Sequence, residues 1–387
     1  MAQAGPFTDV TQRLFSDLKS KNEETRIRAS CELYDNVIAV SRGMLDPRNL
    51  KSTLTHVSCA YIEWPPERFL EFYNAVSQRI AQLVVTGNDA NEKIGGLLAL
   101  DRLIDFDGVD AAQKTTRFAS YLRSALRSND NAVLVYAARS LGRLAKPGGA
   151  LTAELVESEI QSALEWLQTE RLEGRRFAAV LIIRELSKGS PTLLYGFVPQ
   201  IFELVWVALR DPKVLIRETA AEAVSECFEI IAARDVSVRQ QWFARIYDEA
   251  LQSLKSNNVD CIHGSLLILR ELLLKGAMFM NDHYRNTCEI VLRLKDHRDP
   301  KIRTQVVFTI PILASYAPAD FTNTYLHRFM VYLQAQLKRD KERNPAFIAI
   351  GKIAHAVGAA IGQYLDGIIV HIREGLAMKV YVLLPRI

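Results

Sequence analysis

Asp211-Pro212-Lys213-Val214-Leu215-Ile216-Arg217-Glu218-Thr219-Ala220-Ala221-Glu222-Ala223-Val224-Ser225-Glu226-Cys227-Phe228 is the stretch whose pattern decides the fold. Asp211 has a side chain suited to capping a helix, and Pro212 suits a first helical position, where no backbone N–H is needed. Apolar residues then fall at Ala220, Val224, Cys227, Phe228 and Ile231, which is one face of a helix. The preceding residues Ile201, Leu204, Val205, Ala208 and Leu209 keep the same period. Only Arg210-Asp211-Pro212 separates the two patterns, and so short a connection joins antiparallel helices.

The hairpin recurs along the chain. One position about a turn into the second helix serves as a ruler, at Arg28, Lys93, Val135, Arg176, Arg217, His263, Arg303 and Phe347. From Lys93 onward the steps are 42, 41, 41, 46, 40 and 44 residues. A two-helix unit of about 40–47 residues is the HEAT/armadillo period. Small or apolar stripes follow most ruler positions, as in Gly95-Gly96-Leu97-Leu98-Ala99-Leu100 and Ala178-Ala179-Val180-Leu181. Strands are not expected, because no turn signal such as Asn-Gly stands between alternating runs. Asn88-Asp89 and Ser128-Asn129-Asp130 sit where helix N-caps are needed. The expected fold is all-α: a HEAT-type α-solenoid of about eight antiparallel helix pairs, with residues 1–387 as a single helical-repeat domain. The Arg28–Lys93 step is 65 residues, and removing the aperiodic 43–64 stretch leaves 43. That stretch is read as an insertion loop. Residues 378–387 form an atypical, largely apolar tail without a polar capping helix, so the chain is expected to be cut from something longer.

Composition narrows the function. Lys and Arg number 48 and Asp and Glu 44, for a net charge of +4. That balance does not announce a nucleic-acid or membrane surface. The five cysteines, at 31, 59, 227, 261 and 288, form no Cys-x-x-Cys pair. Reduced thiols in a cytosolic protein are expected rather than disulfides or a zinc module. The first residues lack the basic-then-apolar pattern of a signal peptide. No uninterrupted apolar run reaches membrane-spanning length; the run at 177–183 is closed by Arg184 and Glu185.

Several constellations imitate chemistry. His297-Arg298-Asp299 has the letters of a kinase catalytic loop, but the Asn needed five residues after the Asp is Thr304. Asp299-Pro300 instead repeats the helix-opening pair Asp211-Pro212. Cys261, His263, His283 and Cys288 do not match a common zinc spacing. Gly142, Lys146, Gly148 and Gly149 follow a helix rather than a strand, so they read as a helix stop and not a phosphate loop. The basic clusters at 171–176 and 338–343 interleave acidic residues, as solvated faces do. Trp166, Trp206 and Trp242 are assigned to packing. No catalytic, cofactor-binding or metal-binding residue is expected, and no cofactor. The residues singled out are structural turn positions: Asp211, Pro212, Arg217, Asp299, Pro300 and Arg303. Lys93, Arg176, Arg217 and Arg303 are expected to reach acidic groups such as Asp211 and Asp299.

Some passages are more specific than the repeat. They include Leu18-Lys19-Ser20-Lys21-Asn22-Glu23-Glu24-Thr25-Arg26, Asn88-Asp89-Ala90-Asn91-Glu92-Lys93, Ala163-Leu164-Glu165-Trp166-Leu167 and Glu173-Gly174-Arg175-Arg176-Phe177-Ala178-Ala179. Asp211-Pro212-Lys213, Gln241-Trp242 and Ile262-His263-Gly264-Ser265-Leu266-Leu267 follow in order, with weaker matches to about Ala356. In these the chain resembles the N-terminal HEAT-repeat region of the TOR (target of rapamycin) Ser/Thr kinases. Neither 43–64 nor the tail from about Met378 is similar to the family, a departure that suggests an alternative transcript, a gene-model artefact or a diverged paralogue.

The resemblance implies a non-catalytic scaffold segment of a nutrient-responsive growth-control kinase, whose kinase domain lies far C-terminal and outside this chain. It implies Raptor- or Rictor-like regulatory subunits and TOR self-association as partners. A cytoplasmic location is expected, with recruitment to lysosomal or other endomembrane surfaces and the nucleus through complexes. The alternatives are a free-standing HEAT adaptor or transport scaffold, and, against the even charge, a nucleic-acid-binding solenoid.

Overall fold

The computed structural model describes residues 9–42, 66–234 and 236–377. Among them every regular element is a helix and none is a strand. The 43–64 stretch and the 378–387 tail lie outside the described residues. The chain divides into two compact units, Met1–Ala208 and Leu209–Ile387.

In the first unit four helix pairs follow one another. They are α1 (Asp9–Asp17) with α2 (Glu23–Ser41), α3 (Pro66–Thr86) with α4 (Ala90–Leu103), α5 (Ala111–Ala125) with α6 (Asn131–Leu144), and α7 (Ala150–Thr169) with α8 (Glu173–Gly189). The second members, α2, α4, α6 and α8, pack side by side in chain order, and α3, α5 and α7 make the other layer. A short α9 (Pro191–Leu194) and α10 (Val198–Leu209) follow, the last residue of α10 falling in the second unit.

The second unit begins its helices with α11 (Val214–Ala232). Then come α12 (Val236–Ser253) with α13 (Val259–Lys275), α14 (Phe279–Leu294) with α15 (Pro300–Tyr316), a short α16 (Pro318–Asp320), α17 (Leu326–Leu337) with α18 (Asp340–Val357), and α19 (Leu365–Ala377). Here α11, α13, α15 and α18 form the continuous layer. Two layers of paired helices stacked in this way are the HEAT-type α-solenoid arrangement expected from the period.

Local chemistry starts these helices where the layers require. The side chains of Asn22, Asp89, Asp110, Asp130, Asn258 and Asp299 each accept a hydrogen bond from a backbone N–H in the first turn of the helix that follows. Each satisfies a donor that the helix itself cannot. Lys146-Pro147-Gly148-Gly149 is the stop between α6 and α7, and Gly148 and Gly149 adopt φ of 80° and 95°, open to glycine at little cost.

Packing then overrides amphipathicity. All seven residues 177–183 of α8 are buried, and so are all eight residues 262–269 of α13. Around α13 the second helices α11 and α15 close in together with its own partner α12, and α8 is packed by α6, α7 and the short α9, so the middle turns of both are apolar on every side. Each large side chain so buried contributes about 1.5–3 kcal/mol. Two helical stretches, Pro191–Leu209 and Asp340–Arg373, are long and apolar enough to cross a membrane by length and composition alone. Ile201, Phe202, Val205 and Ala208 of the first are core residues, and the second is broken at Gly358, whose φ is 57°.

Close approach of backbones demands glycine at two equivalent places. A Cβ on Gly95 of α4 would stand 1.8 Å from the Leu18 carbonyl oxygen, just past α1. One on Gly264 of α13 would stand 1.9 Å from that of Leu209. Gly95→Ala is therefore expected to destabilise by about 1–3 kcal/mol. Gly351→Ala, at an exposed position of α18 where the added methyl meets nothing within 4 Å, should stabilise by up to about 1 kcal/mol. Urea midpoints followed by far-UV circular dichroism separate the two.

Candidate protein-interaction site

The residues that join one repeat to the next are arginines. Arg217, one turn into α11, is fully buried. Its Nη1 donates to the Asp211 carbonyl and, at 2.6 Å, to Oδ1 of Asp260 in α13; its Nε donates to His263 Nδ1 at 3.2 Å. Arg303 of α15 donates from Nη1 to the carbonyls of His297 (2.9 Å) and Arg298 (3.0 Å), and from Nε to Glu342 of α18 at 2.9 Å. In the first unit Arg26 of α2 donates to the carbonyls of Ser20 (2.7 Å) and Lys21 (3.1 Å) and to Asn91 Oδ1 of α4 (3.0 Å). Arg176 and Arg343 make the backward half of the same contact, to the carbonyls of Arg171 and Leu337. Carbonyls just past a helix have no intrahelical partner. The guanidinium, with five donors in a rigid fork, takes them and still reaches the next repeat.

These contacts correct three expectations. Arg217 and Arg303 do not take the carboxylates of Asp211 and Asp299. Those accept from backbone N–H groups, of Lys213 at 2.9 Å and Lys301 at 2.8 Å, so the arginines bind backbone carbonyls and the acidic partner comes from the following second helix. Pro212 is not the first residue of its helix. Asp211 closes a local Asx turn, Lys213 is extended at φ −88° and ψ 122°, and α11 starts at Val214. Pro300, by contrast, does open α15 behind the Asp299 cap. The ruler also shifts. In the first repeat the clamp is Arg26, whereas Arg28 is exposed and lies 3.8 Å from Glu32. The structural register is four residues past the residue flanking each second helix. Asn22, Asp89, Leu172, Lys213, Asp299 and Arg339 lead in this way to Arg26, Lys93, Arg176, Arg217, Arg303 and Arg343. Counting from the cap rather than from the apolar stripe would have found this register in the sequence.

Burial and charge set the ionisation here. Burial, with Arg217 alongside, pushes His263 down to about 4, and its neutral Nδ1 accepts from Arg217. Burial opposes ionisation of Glu342, but hydrogen bonds from Arg303 and Arg339 outweigh it and hold the carboxyl below its usual range. Cys288 is buried and pushed up to about 12 by that burial, which leaves it an inert thiol. His283 packs against Tyr247 and Phe279 in tilted ring contacts, with centroids 4.3 and 4.5 Å away. Among the described residues no group of three or more His, Cys, Asp or Glu could hold a metal ion. His297-Arg298-Asp299 forms the turn that Arg303 clamps. Trp206 is buried, while Trp166 lies under Arg175, 5.2 Å from the ring centroid.

The helix layers and their arginine junctions define a HEAT-type helical-repeat protein. Comparison of folds agrees. Crystal structures of Kap121p bound to Pho4p and of Kap121p bound to Nup53p each align with 98% of this chain and 36% of theirs, at TM-score 0.51 and 13% identity. That likeness concerns the fold alone. No family model matches the chain. Among sequence relatives, the serine/threonine-protein kinase tor1 of Schizosaccharomyces pombe is 40% identical over 366 residues, 95% of this chain. TOR2 of Saccharomyces cerevisiae is 38% identical over 85% of the chain, and TOR of Arabidopsis thaliana 37% over 84%. The chain is a homologue of the TOR serine/threonine-protein kinases. It spans 15%, 14% and 13% of the length of these three relatives.

Two stability outcomes follow from the junctions. Arg217→Ala should cost about 2–4 kcal/mol, because the buried Asp211 carbonyl and the next repeat's polar groups lose their donor, and Arg26→Ala, whose carbonyls are less buried, about 1–3 kcal/mol. Arg28→Ala should stay within about 0.5 kcal/mol. Chemical denaturation of the three variants tests the order. Between the ordinary pKa of 6.5 and the folded value of about 4 the unfolded chain binds more protons at His263, so stability falls as pH drops through that window. The loss is at most about 3 kcal/mol. His263→Gln keeps an acceptor for Arg217 without titrating, and its unfolding free energy should decline less between pH 6.5 and 4.

Proposed function

We propose that this chain is the non-catalytic N-terminal scaffold segment of a TOR-like, nutrient-responsive growth-control kinase, binding regulatory protein subunits and supporting assembly of the complex. The observation that carries the reading is 40% identity to a TOR kinase along 95% of the chain. The architecture supports it: stacked helix pairs expose long helix faces while each repeat contacts its neighbours. Among the described residues there are only helices, whereas the phosphate loop and catalytic lysine of a protein kinase sit on strands. The partners of this reading are Raptor- or Rictor-like subunits and TOR self-association. Its location is the cytoplasm, with recruitment to lysosomal or other endomembrane surfaces and the nucleus through complexes.

Affinity purification of the 387-residue chain from cells, with mass spectrometry and a kinase assay on the eluate, tests the proposal. The expected outcome is recovery of Raptor- or Rictor-like subunits, with kinase activity only where full-length TOR co-purifies. Recovery of neither, with a stable monomer bound to other proteins, would overturn it in favour of a free-standing adaptor.

A further inference from the structure

The second-helix layer of the second unit carries an apolar groove that the repeat packing does not use. It lies where α13 and α15 end beside the later half of α18 and has a volume of about 680 Å³. Leu274, Pro311 and Ile312 contribute its apolar lining, and Lys352 and His355 come from α18. Its size is that of a ligand site. The apolar surface runs on past it. Phe308, one turn before Ile312, is 41% exposed, and Ile348, one turn before Lys352, is 52% exposed. Two ridges with apolar side chains one turn apart suit the i, i+3, i+4 and i+7 anchors of a helix better than a small molecule.

Charge selects the kind of helix. No carboxylate lines the groove. Of its lysines, Lys275 is already ion-paired with Glu229, and the Tyr316 hydroxyl is engaged with the Ala277 carbonyl and Asn281. Lys352 is exposed and has no ion pair or hydrogen bond among the described residues. An apolar occupant would strip water from that ammonium and leave it uncompensated unless the occupant brings an anion. We propose that the groove between α13, α15 and α18 binds an amphipathic helix of a protein partner, its apolar face seated on Leu274, Pro311 and Ile312 and a carboxylate paired with Lys352. The inference rests on the partner-binding reading above and assigns it a place and a chemistry.

The test is fluorescence anisotropy of the full 387-residue chain with a labelled amphipathic peptide of about 16 residues, leucines at i, i+3, i+4 and i+7 and glutamates beside them. Two control peptides replace the glutamates by lysine or the leucines by serine. The acidic apolar peptide should bind at least about tenfold more tightly than either control. Lys352→Glu should weaken it about tenfold and reverse the preference towards the lysine peptide, and Phe308→Ser should weaken it several-fold. Both sites are exposed, and an unchanged urea midpoint verifies folding. Equal binding of the acidic and lysine peptides, or unchanged affinity in folded Lys352→Glu, would overturn the proposal. Subunit recovery by the same variants in the cellular purification reads the scaffold function separately, so the groove can fail while that function stands.

Discussion

A guanidinium placed four residues beyond the flank of a second helix holds two junctions at once. Arg217, Arg303 and Arg26 each close the turn behind them by taking carbonyls that no helix satisfies, and each reaches a polar side chain at the start of the next second helix. The first contact fixes how the two helices of a pair meet. The second fixes how one pair follows another. Lysine offers fewer donors on a freer stem and does not replace that fork. Repeat stacking in each unit is thus pinned at one end of the layer by hydrogen bonds, and along its length by apolar contact.

The apolar contact has its own geometric requirement. The ends of α1 and α10 run close against α4 and α13, which is why the carbonyls of Leu18 and Leu209 stand where a Cβ would be at Gly95 and Gly264. Close approach buries α8 and α13 on all sides through their middle turns. Two polar groups in the interior of the second unit are received there: His263 Nδ1 accepts from Arg217, and the Tyr284 hydroxyl donates to the Leu313 carbonyl. The outcome is an interior without a convergent set of titratable groups. The α15–α18 surface of the second unit joins the exposed apolar side chains of Phe308 and Ile348 to Lys352, which has no ion pair among the described residues.

Homology to the TOR kinases and the helical architecture bear on function from different sides. The first says which proteins carry such a segment; the second says how the segment is built, from stacked helix pairs. On the groove proposed above, partner choice would rest on side chains such as Phe308, Ile312, Ile348 and Lys352.

The amino-acid sequence by itself determined the helical class, the repeat of about forty residues and the turn residues, because capping chemistry and a 3.6-residue period are local properties. Asp89, Asp130 and Asp299 are legible as caps from their neighbours alone. It also carried the family resemblance, since that rests on strings such as Glu173-Gly174-Arg175-Arg176. The clamp was half legible: a basic residue was seen to recur, but it was counted from the apolar stripe, so Arg28 stood in for Arg26. Only tertiary structure decided what the arginines bind, because carbonyls at the end of one helix and Asp260 or Glu342 some forty residues away are not neighbours in any sequence pattern. It alone decided that α8 and α13 are buried all round, since burial depends on what flanks a helix. The groove likewise exists only once the ends of α13 and α15 and the later half of α18 are side by side, for its lining comes from three helices that share no motif.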